Sequence, residues 1–210
     1  MSIGLSEQEI LRREAMAELR NLGINPYPAE AFDVTATAKD IKENYERDKT
    51  AYKNIRMAGR IMTRRIMGSA SFAEIQDASG RIQIYLNRDE ICPTEDKTLY
   101  NTVFKKLLDI GDFIGLEGYV FTTQTGEISV HVTNMTVLSK SLKPLPIVKR
   151  DEEGNIYDGF TDPELRYRQR YVDLTVNPEF KDIFINRSRV INTMRGYFDS
   201  QGWMEVETPI

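Results

Sequence analysis

The 210-residue sequence has little of the residue types on which many catalytic and metal sites depend. Its single cysteine, Cys92, excludes an internal disulfide. That cysteine and a single histidine, His131, are too few ligands for a Cys/His zinc site. The sequence also contains no GxxxxGK[ST] phosphate loop and no Ser/His/Asp set. The residues alone therefore give no complete catalytic centre, and His131 is interpreted as structural or exposed.

The sequence also lacks long apolar segments and a strong excess of positive charge. No apolar run approaches the roughly 20 residues that span a bilayer. The N-terminus, MSIGLSEQEILRRE, has no apolar core of a signal peptide, so a cytoplasmic protein without membrane contact is predicted. The net charge of −4 excludes an electrostatic grip on nucleic acid by the whole surface. Any such binding requires a local patch.

Positive charge is concentrated in residues 54–88. Six arginines stand there against two acidic residues: Arg56, Arg60, Arg64, Arg65, Arg81 and Arg88 against Glu74 and Asp77. Alternation of apolar and polar residues predicts two strands joined by a hairpin turn at residues 77–80, and in these strands Phe72 and Gln83 point away from the core. Cations, an exposed ring and an amide together suit single-stranded nucleic acid. Two alternatives stay open: a register slip would bury Phe72, and the arginines could protect a strand edge.

The order of elements predicts the fold. Residues 1–53 form a helical appendage: a capping box of Ser6 and Glu9 begins one helix, with an apolar stripe of Leu11, Ala15, Leu19 and Leu22, and Thr37 begins another. Arg12 falls on the face predicted to be solvated. Residues 54–140 give three strands, a helix near 94–109 and two strands. That is the element order of an OB-fold, a five-stranded barrel whose second and third strands commonly bind nucleic acid.

The remaining residues predict a linker and the beginning of another domain. Residues 141–161 contain KPLP and a charged stretch, and are interpreted as a linker ending in a loop. Residues 162–210 contain a helix starting at Asp162-Pro163, a longer helix starting at Asn177-Pro178, and a strand over 203–208. The predicted fold class is therefore mainly β with helices: an OB-fold barrel preceded by a helical appendage and followed by a truncated α+β domain.

Four segments resemble a known family, the class II lysyl-tRNA synthetases of bacterial type. They are GRIMTRRIMGSASFAEIQDASGRIQIYL, KPLP, ELRYRQRYVDL and GWMEVETPI. The last fits the first class II motif through Gly202, Trp203, Val206 and Pro209. In that family this motif builds the dimer interface, so the resemblance implies a homodimer and a class II catalytic domain over residues 162–210.

The resemblance also implies roles in the barrel. In these synthetases the OB-fold binds the tRNA anticodon. Phe72 matches a phenylalanine that stacks on the middle base, and Gln83 and Glu127 match the residues that recognise that base as uridine. Arg60 or Arg65 would hold the anticodon phosphates or flank its bases. From the residues alone, Glu127 is only a surface residue after a turn.

The resemblance finally implies the chemistry of a longer parent enzyme. With ATP and Mg²⁺ it would activate lysine and transfer it to the 3′ end of tRNA(Lys). The second and third class II motifs, which bind ATP and Mg²⁺, do not occur before Ile210. This chain is therefore expected to bind the anticodon, to hold no catalytic residue, cofactor or metal, and to be inactive. The alternatives are an aspartyl- or asparaginyl-tRNA synthetase, a stand-alone single-strand-binding module, and a paralogue that has lost catalysis.

Overall fold

The chain divides into two compact units, one before and one after the bond between Pro144 and Leu145. The computed structural model describes residues 4–146, 149–150, 156–157 and 160–209. The first unit contains the helices α1 (Glu7–Asn21), α2 (Ala38–Asn44) and α3 (Arg88–Ile91), a π-helix (Leu99–Leu107) and five long strands. In the second unit, the described residues form three α-helices, a short 3-10 helix and two short strands.

The five strands of the first unit form a closed barrel. They are β1 (Ile55–Met67), β2 (Ala70–Gln76), β3 (Arg81–Asn87), β4 (Phe113–Thr122) and β5 (Ile128–Ser139). Their order around the barrel is β1-β2-β3-β5-β4, and β4 pairs with β1 to complete it. All neighbours are antiparallel except β3 and β5, which are parallel. The predicted OB-fold is confirmed.

Period-two alternation forms the barrel core. β2 and β3 alternate strictly between buried and partly exposed side chains along their whole length. Ile75, Ile82, Ile84 and Leu86 are fully buried, while Phe72 and Gln83 lie on the opposite, outer side of the pleat. Residues 77–80 form the predicted hairpin turn, in which the Asp77 carboxylate accepts hydrogen bonds from the Ser79 and Gly80 amides. The alternation and this turn together fix the register.

One glycine permits the contact between β4 and β5. A Cβ atom on Gly118 would lie 1.9 Å from the carbonyl oxygen of His131. The register between these strands shifts between Glu117 and Gly118, which is where a bulge bends a strand. Only a residue without a side chain fits there. The bulge sets the pairing of Tyr119 with His131 that follows it.

The π-helix covers the core at the position where a helix was predicted. Tyr100, Val103, Phe104 and Leu107 are buried, as their helical spacing indicates. The helix is shorter than predicted. Its first residue is Leu99 and its last is Leu107.

The appendage begins as its sequence predicts. The capping box is present: Ser6 Oγ accepts from the Glu9 amide at 3.3 Å, and Glu9 Oε2 accepts from the Ser6 amide at 3.0 Å. At α2 the Thr37 hydroxyl accepts from the Asp40 amide. The β2–β3 turn contacts the start of α2, since Asp77 Oδ2 accepts from the Ala38 amide at 2.7 Å. The appendage and barrel thus form one unit.

The predicted faces of α1 were wrong for two leucines and one arginine. Leu11 and Leu22 of the predicted apolar stripe are exposed, whereas Arg12, assigned to the solvated face, is only 6 % exposed. The physical reason is hydrogen bonding. The Arg12 guanidinium donates to the carbonyls of Ile110 and Ser141 at 2.9 and 3.1 Å. A buried cation is tolerated here because two backbone oxygens accept hydrogen bonds from its terminal nitrogens.

The second unit departs from its predicted elements at three places. Its strands β6 (Lys149–Arg150) and β7 (Ile156–Tyr157) form an antiparallel pair within the predicted loop; residues 151–155 and 158–159 of that prediction lie outside the described residues. The single helix predicted from Asp162-Pro163 is two, α4 (Pro163–Arg168) and α5 (Arg170–Val176), because Gln169 has non-helical angles of φ −121° and ψ 53°. The strand predicted over 203–208 is irregular, and no described strand pairs with it.

The longer helix of the second unit is present. A 3-10 turn (Pro178–Phe180) leads into α6 (Lys181–Ser200), and Gly202 ends it with φ of +79°. Four apolar side chains at helical spacing along it are 37 to 56 % exposed: Phe184, Ile191, Met194 and Phe198. None of the helices among the described residues is long and apolar enough to cross a membrane.

Candidate nucleic-acid interface

A depression of about 630 Å³ lies on the outer side of the barrel. It is lined by residues of β1, β2, β3 and the β4–β5 turn: Thr63, Arg64, Arg65, Phe72, Ala73, Glu74, Gln83, Thr125 and Glu127. Four of the five barrel residues singled out from the sequence therefore meet at one place. Arg60 does not line the depression.

Among the described residues, Phe72 is the only aromatic side chain that lines the depression. It is partly exposed on β2 and pairs across the strands with Arg65 on one side and Tyr85 on the other. The Arg65 guanidinium carbon lies 5.8 Å from the centre of the Phe72 ring. A partly exposed ring beside a cation offers a stacking surface for a base and a charge for its phosphate.

Gln83 has a fixed orientation. Its Nε2 donates to Ser129 Oγ at 2.9 Å, and Ser129 Oγ donates to the Glu127 carbonyl at 3.3 Å. The parallel pairing of β3 with β5 places Gln83 opposite Ser129. Sequence reasoning missed Ser129, a polar residue that is fully buried. No local signal gives this role, because it depends on the register of two strands distant in sequence.

Glu127 reaches the depression from the β4–β5 turn. Gly126, with φ of +86°, and a hydrogen bond from the Glu127 amide to Thr123 Oγ1 shape this turn. The Glu127 side chain is about half exposed, at 51 %, and Lys42 of α2 lies 4.0 Å away. Its carboxylate is therefore open to a ligand that donates a hydrogen bond.

Arg60, Arg64 and Arg65 of β1 differ in what they already contact. Arg60 donates to the Gly111 carbonyl at 3.0 Å and lies over the Phe113 ring at 4.3 Å. Arg64 donates to the carbonyls of Phe104 and Leu108. Burial lowers the pKa of both guanidinium groups. Arg65 is exposed, and no described carboxylate forms an ion pair with it, which leaves it available for a phosphate.

The depression thus combines a ring, a fixed amide, a carboxylate and a free cation. Its other carboxylate, Glu74, lies 3.3 Å from Arg81 and is neutralised there. A uracil edge presents one N–H donor between two carbonyl acceptors. Glu127 can accept from that donor, and an amide or a cation can donate to the carbonyls.

The class II motif residues belong to the second unit. Gly202 ends α6, and Trp203 and Val206 are 67 % and 69 % exposed. Pro209 is also exposed. The Trp203 ring makes an edge contact with Phe198 at 6.4 Å. Within the described part of the chain, no three His, Cys, Asp or Glu side chains converge as a metal site would require.

Comparison with known proteins gives matches to both units. Residues 55–138 match the family described as OB-fold nucleic acid binding domain, and residues 162–210 match the tRNA synthetases class II (D, K and N). Lysine–tRNA ligases from Porphyromonas gingivalis, Christiangramia forsetii and Azobacteroides pseudotrichonymphae are 60, 58 and 55 % identical to this chain. Each comparison covers 98 % of the chain.

The chain spans only 36 to 41 % of the length of these curated relatives. The similarity nevertheless runs through the barrel and the class II segment without interruption, over 206 or 207 residues. The chain is therefore similar over nearly its whole length to lysine–tRNA ligases, at 55 to 60 % identity, and its residues 162–210 match the class II tRNA synthetases.

Proposed function

We propose that the depression on the barrel binds the anticodon loop of tRNA(Lys). In this proposal the middle anticodon base stacks on Phe72 and presents its edge to Gln83 and Glu127, while Arg65 contacts a neighbouring phosphate. The observation that carries the proposal is that these four side chains line one depression. Arg60 is given no direct contact, since its guanidinium is engaged with Gly111 and Phe113.

The polar groups favour uridine over cytidine at the middle position. Uridine N3–H donates a hydrogen bond to the Glu127 carboxylate. A uridine carbonyl accepts a hydrogen bond from the Gln83 amide or the Arg65 guanidinium. Cytidine has a lone pair at N3, which would face the carboxylate and leave an acceptor unpaired. An unpaired buried group costs about 1–3 kcal/mol, which is roughly a 5- to 150-fold loss of affinity.

We also propose that the longer protein with this sequence ligates lysine to tRNA(Lys). The names of the relatives support this, as does the class II match over residues 162–210. The reaction would use ATP and Mg²⁺ and take place in the cytoplasm. It would require a homodimer whose interface includes Gly202, Trp203, Val206 and Pro209. The described residues form no cluster that suits Mg²⁺, so no step is assigned to a metal here.

The alternative functions are less well supported. The family description covers D, K and N enzymes, but the relatives given above are all lysine–tRNA ligases. A stand-alone single-strand-binding module would not need the class II segment. A paralogue without catalysis is tested by lysine-dependent ATP–pyrophosphate exchange in the longer protein. Exchange above background supports ligation, and its absence in a folded dimer contradicts it.

The anticodon proposal is tested with this chain and a stem-loop RNA that carries the anticodon of tRNA(Lys). Its dissociation constant is compared with that for an RNA with cytidine at the middle position. We expect a preference for uridine of roughly 5- to 150-fold. Glu127→Gln should reduce this preference, and Phe72→Ala should weaken binding to both RNAs because the stacking surface is lost.

A matched control is Glu95→Gln, which makes the same chemical change at an exposed residue outside the depression. It should leave both dissociation constants unchanged apart from a small electrostatic effect. If the chain binds both RNAs equally, and binding only weakens as salt is raised, the proposal is wrong. The barrel would then carry a basic patch and no base-reading site.

A further inference from the structure

A row of aromatic side chains extends from Phe72 across the outer side of the barrel, beyond the depression. We propose that Tyr85, in this row, is a second base-stacking position, which holds a base adjacent to the one on Phe72. The inference rests on the proposed function and adds to it, because it predicts that the barrel engages two bases through two separate rings.

The strand register builds this row. Phe72 of β2 is directly opposite Tyr85 of β3, Tyr85 is opposite His131 of β5, and His131 is opposite Tyr119 of β4. Arg65 of β1, opposite Phe72, completes the row at the other end. Directly opposite residues on one face of a sheet lie close enough for their side chains to interact. The row is therefore one continuous surface across the five strands.

The rings contact one another along the row. The ring centres of Phe72 and Tyr85 are 5.1 Å apart, with their planes tilted by 52°. Tyr85 is also in edge contact with His131 at 4.9 Å and with Phe121 at 6.1 Å. Because the planes of Phe72 and Tyr85 differ, one base cannot lie flat on both. Each ring suits a base of its own, and Tyr85 is partly exposed.

Tyr85 lies outside the set of residues that line the depression, while Phe72 belongs to it. A base that hydrogen-bonds to Gln83 and Glu127 therefore stacks on Phe72. The ring of Tyr85 remains available to an adjacent base. Stacking without edge recognition tolerates any base, so we expect affinity but little base selectivity from Tyr85.

His131 acts as a positioning residue for this ring. Its Nδ1 is 2.8 Å from the Tyr119 hydroxyl, and its Nε2 is 2.5 Å from a carboxylate oxygen of Glu90 on α3. The imidazole also stacks on the Tyr119 ring at 4.7 Å. These contacts hold the imidazole against Tyr85 before any RNA binds. A side chain that is fixed in advance loses less entropy when it binds a ligand.

The experiment removes one base at a time from the RNA. The probes are the tRNA(Lys) anticodon stem-loop and three versions, each with an abasic nucleotide at one anticodon position. Tyr85→Leu should weaken binding of the intact RNA roughly 5- to 150-fold. The loss should persist when the middle base is missing and disappear when one flanking base is missing. Phe72→Ala should show the opposite dependence.

Two further variants separate stacking from structural damage. Tyr85→Phe keeps the ring and should bind within about twofold of the native chain. His131→Ala should weaken binding only to RNAs that retain the same flanking base, which a general loss of stability would not do. If Tyr85→Leu weakens all four RNAs equally, or none of them, while Phe72→Ala stays specific for the middle base, the inference is wrong and the proposed function stands.

A measurement on the native chain does not depend on how the variants fold. The fluorescent base 2-aminopurine is placed at each flanking position in turn, and its emission is followed as the chain is added. Stacking on Tyr85 should quench one of the two probes. Binding without quenching at either position would overturn the inference. If no position of the RNA affects binding, the proposed function itself fails.

Discussion

Two helices with similar apolar spacing have opposite surroundings in this molecule. Phe104, on the π-helix, is fully buried, whereas Phe198, on α6, is 50 % exposed. Both rings recur at helical spacing with other apolar side chains of their helix. The difference is that barrel strands cover the first face, while among residues 160–209 only Val172 and Asp173 are buried. Periodicity therefore identifies an apolar face, and burial depends on a second layer packing against it.

The difference in burial between the two helices is tested most directly by removing one aromatic ring from each. Phe104→Ala should lower the free energy of unfolding of the barrel by about 3–5 kcal/mol, because a large cavity replaces a buried ring. Phe198→Ala should lower the stability of α6 by less than about 1 kcal/mol, since that ring is half in water. Hydrogen exchange at amides of β3 and of α6 reports the two effects separately.

Each variant is a control for the other, since the chemical change is the same. Neither should alter the exchange of the unit that it does not belong to. A loss of several kcal/mol at α6 amides in Phe198→Ala would mean that the half-exposed face is already packed in solution. Equal effects of the two variants would contradict the comparison.

A buried and an exposed arginine should show the same contrast in stability, with a smaller difference between them. Arg12 of α1 is buried and donates to two backbone carbonyls. Arg12→Ala should lower the free energy of unfolding by about 1.5–3 kcal/mol, because two partly buried carbonyl oxygens lose a charged donor. Arg20, on the same helix, is exposed, and Arg20→Ala should change stability by no more than about 0.5 kcal/mol. The urea midpoint of the barrel, followed by circular dichroism, measures both.

A neutral replacement separates the contribution of charge from that of shape. Arg12→Met retains much of the aliphatic stem and should remain well below the native midpoint, because it cannot donate. A methionine variant as stable as the native chain would show that packing of the stem is what matters.

Much of the fold could be predicted because local signals and barrel geometry agree. Alternation in β2 and β3, the turn at 77–80 and the capping residues Ser6 and Thr37 are all short-range features, and each is confirmed. The burial of Arg12 could not be predicted, because its partners Ile110 and Ser141 are distant in sequence. The break at Gln169 carries no proline or glycine to mark it.

The candidate site divides in the same way. The pleat alone places Phe72 and Gln83 on the outer side of the barrel. That Glu127 meets them follows from the closure of the barrel. The hydrogen bond from Gln83 to Ser129 follows from the parallel register of β3 and β5. The contacts that occupy Arg60 and leave Arg65 available depend on the packing near the π-helix, which no pattern in β1 indicates.

The smallest expected effect is a loss of stability of the second unit at acidic pH. Burial alone would raise the pKa of Asp173, but hydrogen bonds from Arg166 and Asn177 and the charges of Arg166 and Arg170 lower it below its ordinary 3.8. The Asp173 carboxylate accepts from Arg166 Nε at 2.8 Å and is also paired with Arg170. Because the folded pKa is the lower one, the stabilisation is complete above the unfolded pKa and is lost as the pH falls through the folded value.

The urea midpoint of the second unit should therefore fall as the pH is lowered below about 5. It can be followed by the emission of Trp203, the single tryptophan, which contacts Phe198 at the end of α6. Asp173→Asn should start from a lower midpoint and show a shallower pH dependence, because the titrating group is gone. The same slope in both proteins would mean that other carboxylates account for the acid sensitivity of this unit. The three-residue cluster around Asp173 would then contribute packing and hydrogen bonds, and its charge would have little effect on stability.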